Sequence, residues 1–453
     1  MKHKLPLKIG ISGVRGTIGE SLTPQLVSRF AQAFGTFLGR GEVIIGRDTR
    51  SSGFMLTQSV ISGLLSVGCR PVDAGICPIP TLQFLARESR YIGGLAVTAS
   101  HNPENWNGLK FINHKGLFLN HAQSEEFLDI YHQGEFSLVR SHDLRVVQKE
   151  HRLEAHIQRL LDVVEKNSIR KKQFKVVADC CGGAGTVLMP RLLEELGCRY
   201  RIFDRGSGFK GARSYEPSPE NLGPLCREVK QWKADIGLAL DADADRLAIV
   251  NEKGEAVGEE LTLALCIKHI LEKNPGPVVV NLSTSIAVDK IAFENRSPVF
   301  RTKIGEIYVV EGVLKHKAVI GGEGNGGVIF PAVHTCRDSF SATGLILEFM
   351  ATSGKTLSEL RNNIPKFFMI KDRLPGTPEQ THRVIKKLRK RYESKGRISE
   401  LDGLKISFND AWLHIRPSNT EPIIRLIAEA ATEEQSHTLL DTFKTEIMSL
   451  LKP

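Results

Sequence analysis

The sequence has no hydrophobic run long enough to cross a membrane. No segment of its 453 residues approaches the roughly 18 to 20 consecutive apolar residues that a spanning helix needs. The first residues, 1–6, are basic, and no long apolar segment follows them, so we expect no secretory signal. We therefore expect no membrane partner and a cytoplasmic location.

Cysteine is also scarce, and its spacing argues against a disulfide framework. None of the eight cysteines forms a Cys-x-x-Cys pair, and the adjacent Cys180 and Cys181 are poorly placed for ordinary bridging. We expect reduced, mostly buried thiols, which again favours the cytoplasm. The cysteines are at positions 69, 77, 180, 181, 198, 226, 266 and 336.

Charge is ample but is not arranged for nucleic acid. The formal net charge is +10, and the densest basic run is Lys386–Arg391. No aromatic residues alternate with this run to stack on bases, so a solvated helix face is the simpler interpretation. The positive balance fits an anionic small molecule, and we expect a phosphorylated substrate, no nucleic acid, and a monomer or homodimer.

Strand and helix patterns alternate along the first three quarters of the chain, as in α/β proteins. We predict three similar α/β domains with mixed or parallel sheets, at residues 1–147, 148–251 and 252–365. From residue 366 the pattern changes to strands bracketed by two helices, which predicts a smaller α+β domain at 366–453 with an antiparallel sheet.

The predicted elements are strands at 42–46, 70–75, 94–97, 174–179, 278–282, 299–302, 318–321, 404–408, 411–416 and 423–430, and helices at 54–67, 82–87, 153–164, 182–196, 259–273, 380–393 and 433–451.

A short internal sequence repeat supports repeated βαβ units. Leu64–Arg70 and Leu193–Arg199 both read as a helix that ends in Gly-Cys-Arg and leads into a strand. Glycine at such a position predicts a left-handed helix cap.

The stretch Thr98–Pro103 places Ser100 and His101 directly after an apolar strand. A hydroxyl and an imidazole at the tip of a strand suit a nucleophile. A plain strand-to-loop turn explains the same residues if nothing else converges on them.

Three carboxylates follow the next buried strand. Asp241, Asp243 and Asp245 alternate with alanine, so an extended backbone turns them towards one side. Like charges at this spacing repel unless a cation neutralises them, and an all-oxygen site suits Mg²⁺. The alternative is an acidic turn. Arg246 adds an anion-binding guanidinium beside the carboxylates.

Glycine-rich loops occur twice, within Gly321–Gly327 and Gly206–Gly211, both with a Gly-x-Gly-x-x-Gly pattern. Neither opens a predicted helix, which argues against dinucleotide binding. The first precedes the strand-like run Val328–Pro331. Its Glu323 and Asn325 suit the hydroxyl groups of a polyol, although a simple hairpin turn remains open.

The last polar loop, Arg416–Pro422, lies between two predicted strands. Its donors, Arg416, Ser418, Asn419 and Thr420, suit a phosphate, and Arg425 adds charge if it turns inward. A polar connecting loop is the alternative.

Taken in order, the motifs Thr-Ala-Ser-His-Asn-Pro, Asp-Ala-Asp-Ala-Asp-Arg, Gly-Glu-Gly-Asn-Gly-Gly and Arg-Pro-Ser-Asn-Thr-Glu-Pro resemble those of the α-D-phosphohexomutase family. The segment Gly10–Gly16 resembles the opening motif of this family. The resemblance covers essentially the whole chain and implies an isomerase with four domains around a central cleft, Mg²⁺, and a hexose 1,6-bisphosphate as activating intermediate.

The resemblance also implies roles by position. Ser100 would carry the phosphoryl group and complete the metal site of the three aspartates. Arg15, His101 and Arg246 would surround the transferring group, and Lys110 would be a general base. The implied ligands of the sugar are Lys303, Gly305, Glu323 and Asn325, and those of the idle phosphate are Arg416, Ser418, Asn419, Thr420 and Arg425.

One departure bears on the substrate. Many members have Gly-Glu-x-Ser-Gly-His in the sugar loop, whereas this chain has Asn325 and Gly327 in place of Ser and His. This form resembles a branch assigned to glucosamine phosphate, although close relatives use mannose or glucose phosphates. We expect interconversion of glucosamine 6-phosphate and glucosamine 1-phosphate.

Two other functions fit parts of the pattern. An aspartyl phosphatase would use Asp241 as nucleophile, and a non-catalytic sensor would bind sugar phosphates with the same loops. Mapping the phosphorylated residue tests the first, and a coupled isomerisation assay tests the second.

Overall fold

The computed structural model of the protein describes residues 7–10, 13–88, 90–140, 147–203, 213–418 and 422–451. The chain forms two compact units. The first unit is Met1–Thr262 with Asn325–Leu360, and the second is Leu263–Gly324 with Arg361–Pro453. The glycine pattern within 206–211 lies outside the described residues.

The first sheet is mixed. Strand β3 pairs in parallel with both β4 and β5, whereas β6 runs antiparallel to β5. Its strands, in the spatial order β1-β2-β6-β5-β3-β4-β7, are β1 Lys8–Gly10, β2 Gly13–Thr17, β3 Glu42–Arg47, β4 Arg70–Ile76, β5 Gly93–Val97, β6 Trp106–Asn113 and β7 Gln148–Lys149. Its helices are α1 Pro24–Leu38, α2 Gly53–Ser66, α3 Ile79–Glu88 and α4 His121–Gln133.

Alternation along β3 explains how this sheet is buried on both faces. Val43 and Ile45 pack in one apolar cluster with Phe30 of α1, whereas Ile44 packs in another with Leu82 of α3. Successive strand side chains point to opposite faces, so a continuous apolar run places core on both sides. The predicted strand–helix–strand–helix–strand order from residue 42 to 97 is confirmed.

The second sheet also belongs to the first unit. Strand β10 pairs in parallel with β8 and antiparallel with β11. The strands, in the order β11-β10-β8-β9, are β8 Lys175–Asp179, β9 Arg199–Ile202, β10 Ile236–Leu240 and β11 Leu247–Asn251. The helices are α5 Glu154–Val163, α6 Lys166–Lys172, α7 Met189–Glu195 and α8 Gly223–Trp232, with short 3₁₀ turns at Ala184–Val187 and Pro219–Asn221.

The helix predicted from residue 182 to 196 is wrong in its first half. The chain makes the 3₁₀ turn Ala184–Val187, and α7 starts anew at Met189. Pro190 occupies the first turn of α7, where its missing N–H costs no helical hydrogen bond.

The two copies of the short sequence repeat end their helices in the same way. Gly68 follows α2 with φ +81°, and Gly197 follows α7 with φ +68°. The strands β4 and β9 begin two residues later. The left-handed conformation favours glycine because it has no Cβ, so the predicted caps are confirmed.

Strand β12 is the centre of a parallel group in the second unit, with β13 on one side and β14 on the other. These strands are β12 Val278–Asn281, β13 Val299–Thr302 and β14 Ile320–Glu323, and the helices in this part of the chain are α9 Glu259–Lys273, α10 Ala287–Glu294 and α11 Glu306–His316. The strand predicted at 318–321 starts later because Lys317 caps α11 in a left-handed conformation and Ala318 still bonds to Val313.

The chain then returns to the first unit with strand β15 Gly327–Ile329 and helix α12 Ser339–Ser353, and α13 Leu357–Asn362 follows. Asp338 caps α12 by accepting a hydrogen bond from the Phe340 amide. This cap stabilises the first turn of α12, directly after residues 334–338.

The C-terminal part of the second unit is α+β, as predicted. All its strand pairs are antiparallel. Val384 and Phe443 share one apolar cluster with Leu413 and Leu426 of the sheet, so both helices cover the same face. The elements are β16 Phe368–Pro375, α14 Pro378–Tyr392, β17 Arg397–Ser399, β18 Leu404–Ser407, β19 Ala411–Pro417, β20 Ile423–Ala430 and α15 Glu433–Leu451, with strand order β16-β20-β19-β18-β17.

The basic run Lys386–Arg391 lies on α14, where Leu388 is buried and the lysines and arginines are exposed. This confirms the solvated helix face. Among the described helices, none combines the length and apolar character that a bilayer crossing requires.

Candidate active site

Ser100 lies three residues beyond the end of β5 in a buried, tightly held loop. Its φ is +50°, and its side chain is among the buried polar groups. The Ser100 amide donates to Thr98 Oγ1 at 3.0 Å, and Thr98 Oγ1 donates to Asp48 Oδ2 at 2.6 Å. A serine in this conformation is held by its surroundings, which is typical of functional loops.

Arg50 holds the backbone of the same loop. Its Nη2 donates to the Ser100 carbonyl at 2.6 Å and to the Asn102 carbonyl at 2.8 Å. Its Nη1 donates to the carbonyls of Pro103 and Trp106, at 2.7 and 3.1 Å. The shape of the loop around Ser100 is therefore fixed by one buried guanidinium.

The three aspartates converge after β10. One carboxylate oxygen of each of Asp241, Asp243 and Asp245 lies within 4.8 Å of the others, and all three residues are buried. Ser100 Oγ donates to Asp241 Oδ2 at 3.0 Å. The proposed nucleophile and the proposed metal ligands thus lie together, although 141 residues separate Ser100 from Asp241.

Two cationic side chains bind this carboxylate cluster. Lys110 Nζ donates to Asp243 Oδ2 at 2.7 Å and lies 3.6 Å from Asp245 Oδ2. Arg337 Nη2 donates to Asp245 Oδ2 at 2.6 Å. Close opposite charges offset part of the repulsion among the carboxylates.

The donor set fits a hard divalent cation. Asp243 Oδ1 and Asp245 Oδ1 are buried and accept no hydrogen bond from any described residue. Asp241 Oδ1 accepts from the amides of Asp245 and Arg246, at 3.1 and 3.2 Å, which fixes its orientation. Buried carboxylate oxygens without donors are what Mg²⁺ or Ca²⁺ ligation requires.

The pKa values of Asp241 and Asp243 are shifted in opposite directions. Burial and the neighbouring charges of Asp243 and Asp245 raise the pKa of Asp241 well above its ordinary value. Burial alone would raise the pKa of Asp243, but the charge and hydrogen bond of Lys110 outweigh it and lower that pKa. A bound cation would favour the charged form of the Asp241 carboxylate.

The other residues predicted around the transferring group lie near the Ser100 loop or the carboxylates. Arg15 Nη1 donates to Asn102 Oδ1 at 3.0 Å, and Arg246 Nε lies 3.7 Å from Asp245 Oδ1. His101 Nδ1 lies 3.4 Å from Ser100 Oγ. Burial and the charges of Arg246 and Arg15 lower the pKa of His101 to about 3, so its imidazole is neutral near pH 7.

The predicted sugar ligands Glu323 and Gly305 meet in the second unit. Glu323 Oε1 accepts from the Gly305 amide and from Asn281 Nδ2, both at 2.9 Å. Gly305 has φ +128°, so its amide direction depends on glycine. Lys303 is exposed nearby in sequence, with Nζ over the Tyr308 ring at 5.7 Å.

Asn325 belongs to the first unit, where its Oδ1 accepts from the Gly327 amide at 3.2 Å. The amide carbonyl therefore stabilises the turn before β15.

Arg416 and Arg425 are directly opposite each other on β19 and β20, which places them on the same face of the sheet. Arg416 Nε is buried and has no hydrogen-bond partner among the described residues. The Ser418 amide donates to the Ile423 carbonyl at 3.0 Å. Asn419 and Thr420 lie outside the described residues.

The sequence motifs missed Arg50, Asp48 and Arg337. The order of β3 and β5 offered a signal for the first two, because parallel neighbours bring their carboxyl ends to one edge of a sheet. Arg337 gave no such signal, because 92 residues separate it from its partner Asp245.

Comparison with known proteins decides the family. Models of phosphoglucomutase/phosphomannomutase match in four parts: α/β/α domain I at residues 6–138, domain II at 154–254, domain III at 259–368, and the C-terminal domain at 373–446. The chain belongs to the α-D-phosphohexomutase family. Its members are mutases, isomerases that transfer phosphate within the substrate, and this chain is an enzyme of that class.

Individual phosphohexomutases match along nearly the whole chain. Phosphoglucomutase/phosphomannomutase of Thermococcus kodakarensis is 37% identical over 95% of this chain and 96% of its own. A probable phosphoglucosamine mutase of Methanopyrus kandleri is 37% identical over 96% of each. A crystal structure of a phosphoglucomutase/phosphomannomutase family protein from Burkholderia thailandensis matches with TM-score 0.86 and 25% identity, covering 98% of this chain and 99% of that one.

Proposed function

We propose that this phosphohexomutase interconverts hexose 6-phosphate and hexose 1-phosphate through a phosphorylated Ser100 and a hexose 1,6-bisphosphate. The observation that carries the proposal is the 3.0 Å hydrogen bond from Ser100 Oγ to Asp241 within a buried cluster of three carboxylates. A serine alone is a weak nucleophile, and this surrounding supplies what phosphoryl transfer needs.

Asp241, Asp243 and Asp245 would hold Mg²⁺, and an oxygen of the phosphorylated Ser100 would complete the set. The bound cation would neutralise charge on the phosphoryl oxygens. The orphaned oxygens of Asp243 and Asp245 support this assignment.

In the first half-reaction, the bond between phosphorus and Ser100 Oγ breaks, and a new bond forms to the free hydroxyl oxygen of the sugar phosphate. Lys110, the general base that the family resemblance implies, would take the proton of that hydroxyl. Arg15 and Arg246 would stabilise the developing charge, and the neutral His101 would donate a hydrogen bond. In the second half-reaction the bisphosphate has turned, and Ser100 takes back the other phosphoryl group while the proton returns to the sugar.

The sugar itself would be bound by Lys303, Gly305, Glu323 and Asn325. The idle phosphate would be bound by Arg416, Ser418, Asn419, Thr420 and Arg425. The cross-strand pairing of Arg416 with Arg425 supports the second assignment, because two guanidinium groups on one face attract a dianion.

We propose glucosamine phosphate as the preferred substrate. The sugar loop with Asn325 and Gly327 supports it, as does the name of the M. kandleri relative. The T. kodakarensis relative, at the same identity, makes mannose or glucose phosphate the alternative. Turnover of glucosamine, mannose and glucose 6-phosphates in one assay separates them, and a kcat/KM highest for mannose or glucose would overturn the preference.

Replacing the nucleophile tests the mechanism. We expect Ser100→Ala to abolish turnover and the acid-stable phosphoenzyme while sugar phosphate still binds, measured by calorimetry. Ser59→Ala is a matched control, because Ser59 is half-buried on α2 and donates to the Met55 carbonyl of its own helix. Normal turnover by Ser100→Ala, or phosphate found as an acyl phosphate on Asp241, would contradict the proposal.

A further inference from the structure

A second cluster of metal-ligand side chains lies in the first unit, separate from the three aspartates. His156 of α5 and His334 and Asp338 of the segment before α12 are buried, and one ligand atom of each lies within 4.8 Å of the others. None of the three has a role in the proposed phosphoryl transfer.

The spacing of these atoms suits a small tetrahedral ion. Asp338 Oδ2 is 3.1 Å from His156 Nε2 and 4.0 Å from His334 Nε2. Zn²⁺ with bonds of about 2.0 to 2.1 Å to nitrogen and oxygen places neighbouring donor atoms about 3.3 Å apart. The observed separations bracket that value.

The donor atoms of this cluster are already oriented. Thr81 Oγ1 lies 3.0 Å from His156 Nδ1, which leaves Nε2 directed at Asp338. Metal-binding histidines commonly use their other ring nitrogen in such a hydrogen bond. Asp338 Oδ1 accepts from the Phe340 amide at 2.9 Å, which leaves Oδ2 towards the histidines, where Ser341 Oγ also contacts it.

The ligand types favour zinc. Two imidazoles and a carboxylate are ligands that Zn²⁺ accepts, whereas Mg²⁺ prefers oxygen alone. The buried thiol of Cys336 lies beside the cluster, with Sγ 3.2 Å from Nε2 and 3.3 Å from Nδ1 of His334. These nearly equal distances place Sγ over the imidazole ring and away from the lone pair of Nε2.

We propose that His156, His334 and Asp338 bind one Zn²⁺ ion. Three protein ligands leave the fourth tetrahedral position to a water molecule.

The proposed zinc site lies next to residues that contact the loop of Asp241–Asp245. The residue between Cys336 and Asp338 is Arg337, which donates to Asp245, and Ser339 donates to the Ala244 carbonyl at 2.7 Å. Zinc would thus join α5 to the segment that supports the proposed magnesium loop. The proposed zinc ligands are separate from the residues proposed to bind the substrate.

Metal analysis of the full-length protein tests it. The protein is stripped with chelator, dialysed against Zn²⁺ in excess Mg²⁺ so that the aspartates hold Mg²⁺, desalted, and measured by mass spectrometry. We expect about one zinc per chain, and at least about tenfold lower affinity in His334→Gln and His156→Gln. Cys198→Ser and His121→Gln, a partly exposed thiol and an exposed imidazole, are controls that keep wild-type zinc.

Cobalt distinguishes ligation from adventitious binding. Co²⁺-loaded wild type should show the intense visible bands of a tetrahedral ion, which His334→Gln loses while its circular dichroism remains native. Wild type that keeps no zinc, or a His334→Gln variant with unchanged zinc and cobalt spectra, overturns the proposal and leaves a buried His–Asp hydrogen bond.

Discussion

All five N–H groups of the Arg50 guanidinium are used inside the protein. Nε donates to Asp48 at 3.0 Å, and the two terminal nitrogens donate to four backbone carbonyls between Ser100 and Trp106. No other side chain can present five donors in one plane. Arg50 is therefore a positioning residue for the proposed nucleophile.

Arg50→Lys tests this role. A lysine has three donors on one nitrogen and cannot reach four carbonyls, so Ser100 should lose its orientation. We expect kcat to fall about 10²-fold, as misplacement by about 1 Å costs, with a smaller change in KM. Arg170→Lys, on the exposed helix α6, is the control. Wild-type kcat in Arg50→Lys would show that the loop keeps its shape without the guanidinium.

Residues with a distinctive motif could be predicted from the sequence, whereas Arg50 had only an indirect signal, its place after β3, the parallel neighbour of β5. Ser100 and the three aspartates stand in short stretches whose residue types imply their chemistry. Arg50 binds carbonyl oxygens, which every residue type possesses, so its partners leave no trace in the pattern.

At the scale of elements, helix ends decide where strands begin. Gly68 and Gly197 end helices in the left-handed conformation, and the strands β4 and β9 follow them. Gly354 ends α12 in the same way, with φ +68°. These caps differ in the space around them, since a Cβ on Gly68 would lie 2.7 Å from Val139 Cγ1, whereas none of the described atoms lies within 4 Å at Gly354.

This difference predicts unequal costs for the same substitution. Gly354→Ala should lower the free energy of unfolding by about 1 to 2 kcal/mol, the strain of a left-handed non-glycine residue. Gly68→Ala carries the same strain plus an overpacking cost of about 1 to 3 kcal/mol. Urea denaturation of both variants measures the two values. Equal losses would mean that Val139 moves away freely.

Periodicity predicted only part of the elements, and several of the errors have local causes. The helices α1, α4 and α12 and the strand β6 were not predicted, and β16 and β17 were missed as well. Strand β16 is mostly half-exposed or exposed and carries Lys371, Asp372 and Arg373 in a row, which breaks the alternation expected of a strand. Strand β17 has only three residues, too few to show a period.

Each of the two compact units contains two separate segments of the chain, whereas the sequence predicts four consecutive domains. The boundaries predicted at 147, 251 and 365 stay predictions, and the contact pattern instead assigns Asn325–Leu360 to the first unit. Arg337 and Ser339 show why, since they bind the loop that carries Asp241–Asp245. The chain returns to the first unit at Asn325, after 62 residues in the second unit. The local sequence pattern does not indicate this return, because it depends on contacts between residues far apart in sequence.

Mg²⁺ should therefore act unevenly on the protein. All three aspartates belong to the first unit, so Mg²⁺ at about 100 times its Kd should stabilise that unit by about 2.7 kcal/mol. Hydrogen exchange should slow at residues 241–246 and stay unchanged in β16–β20, and EDTA should reverse the effect. Asp243→Asn is the control that should lose it. Equal protection in that variant would place the cation elsewhere.

The loop held by Arg50 leads directly into Trp106, whose carbonyl Arg50 binds and whose ring lies 5.0 Å from Lys8 Nζ. The chain has three tryptophans, and the other two are Trp232 and Trp412. Replacing those two with phenylalanine leaves Trp106 as the one tryptophan, six residues along the chain from the proposed nucleophile. Its emission would follow each phosphorylation and dephosphorylation of Ser100 in real time, without a label and without a coupled assay.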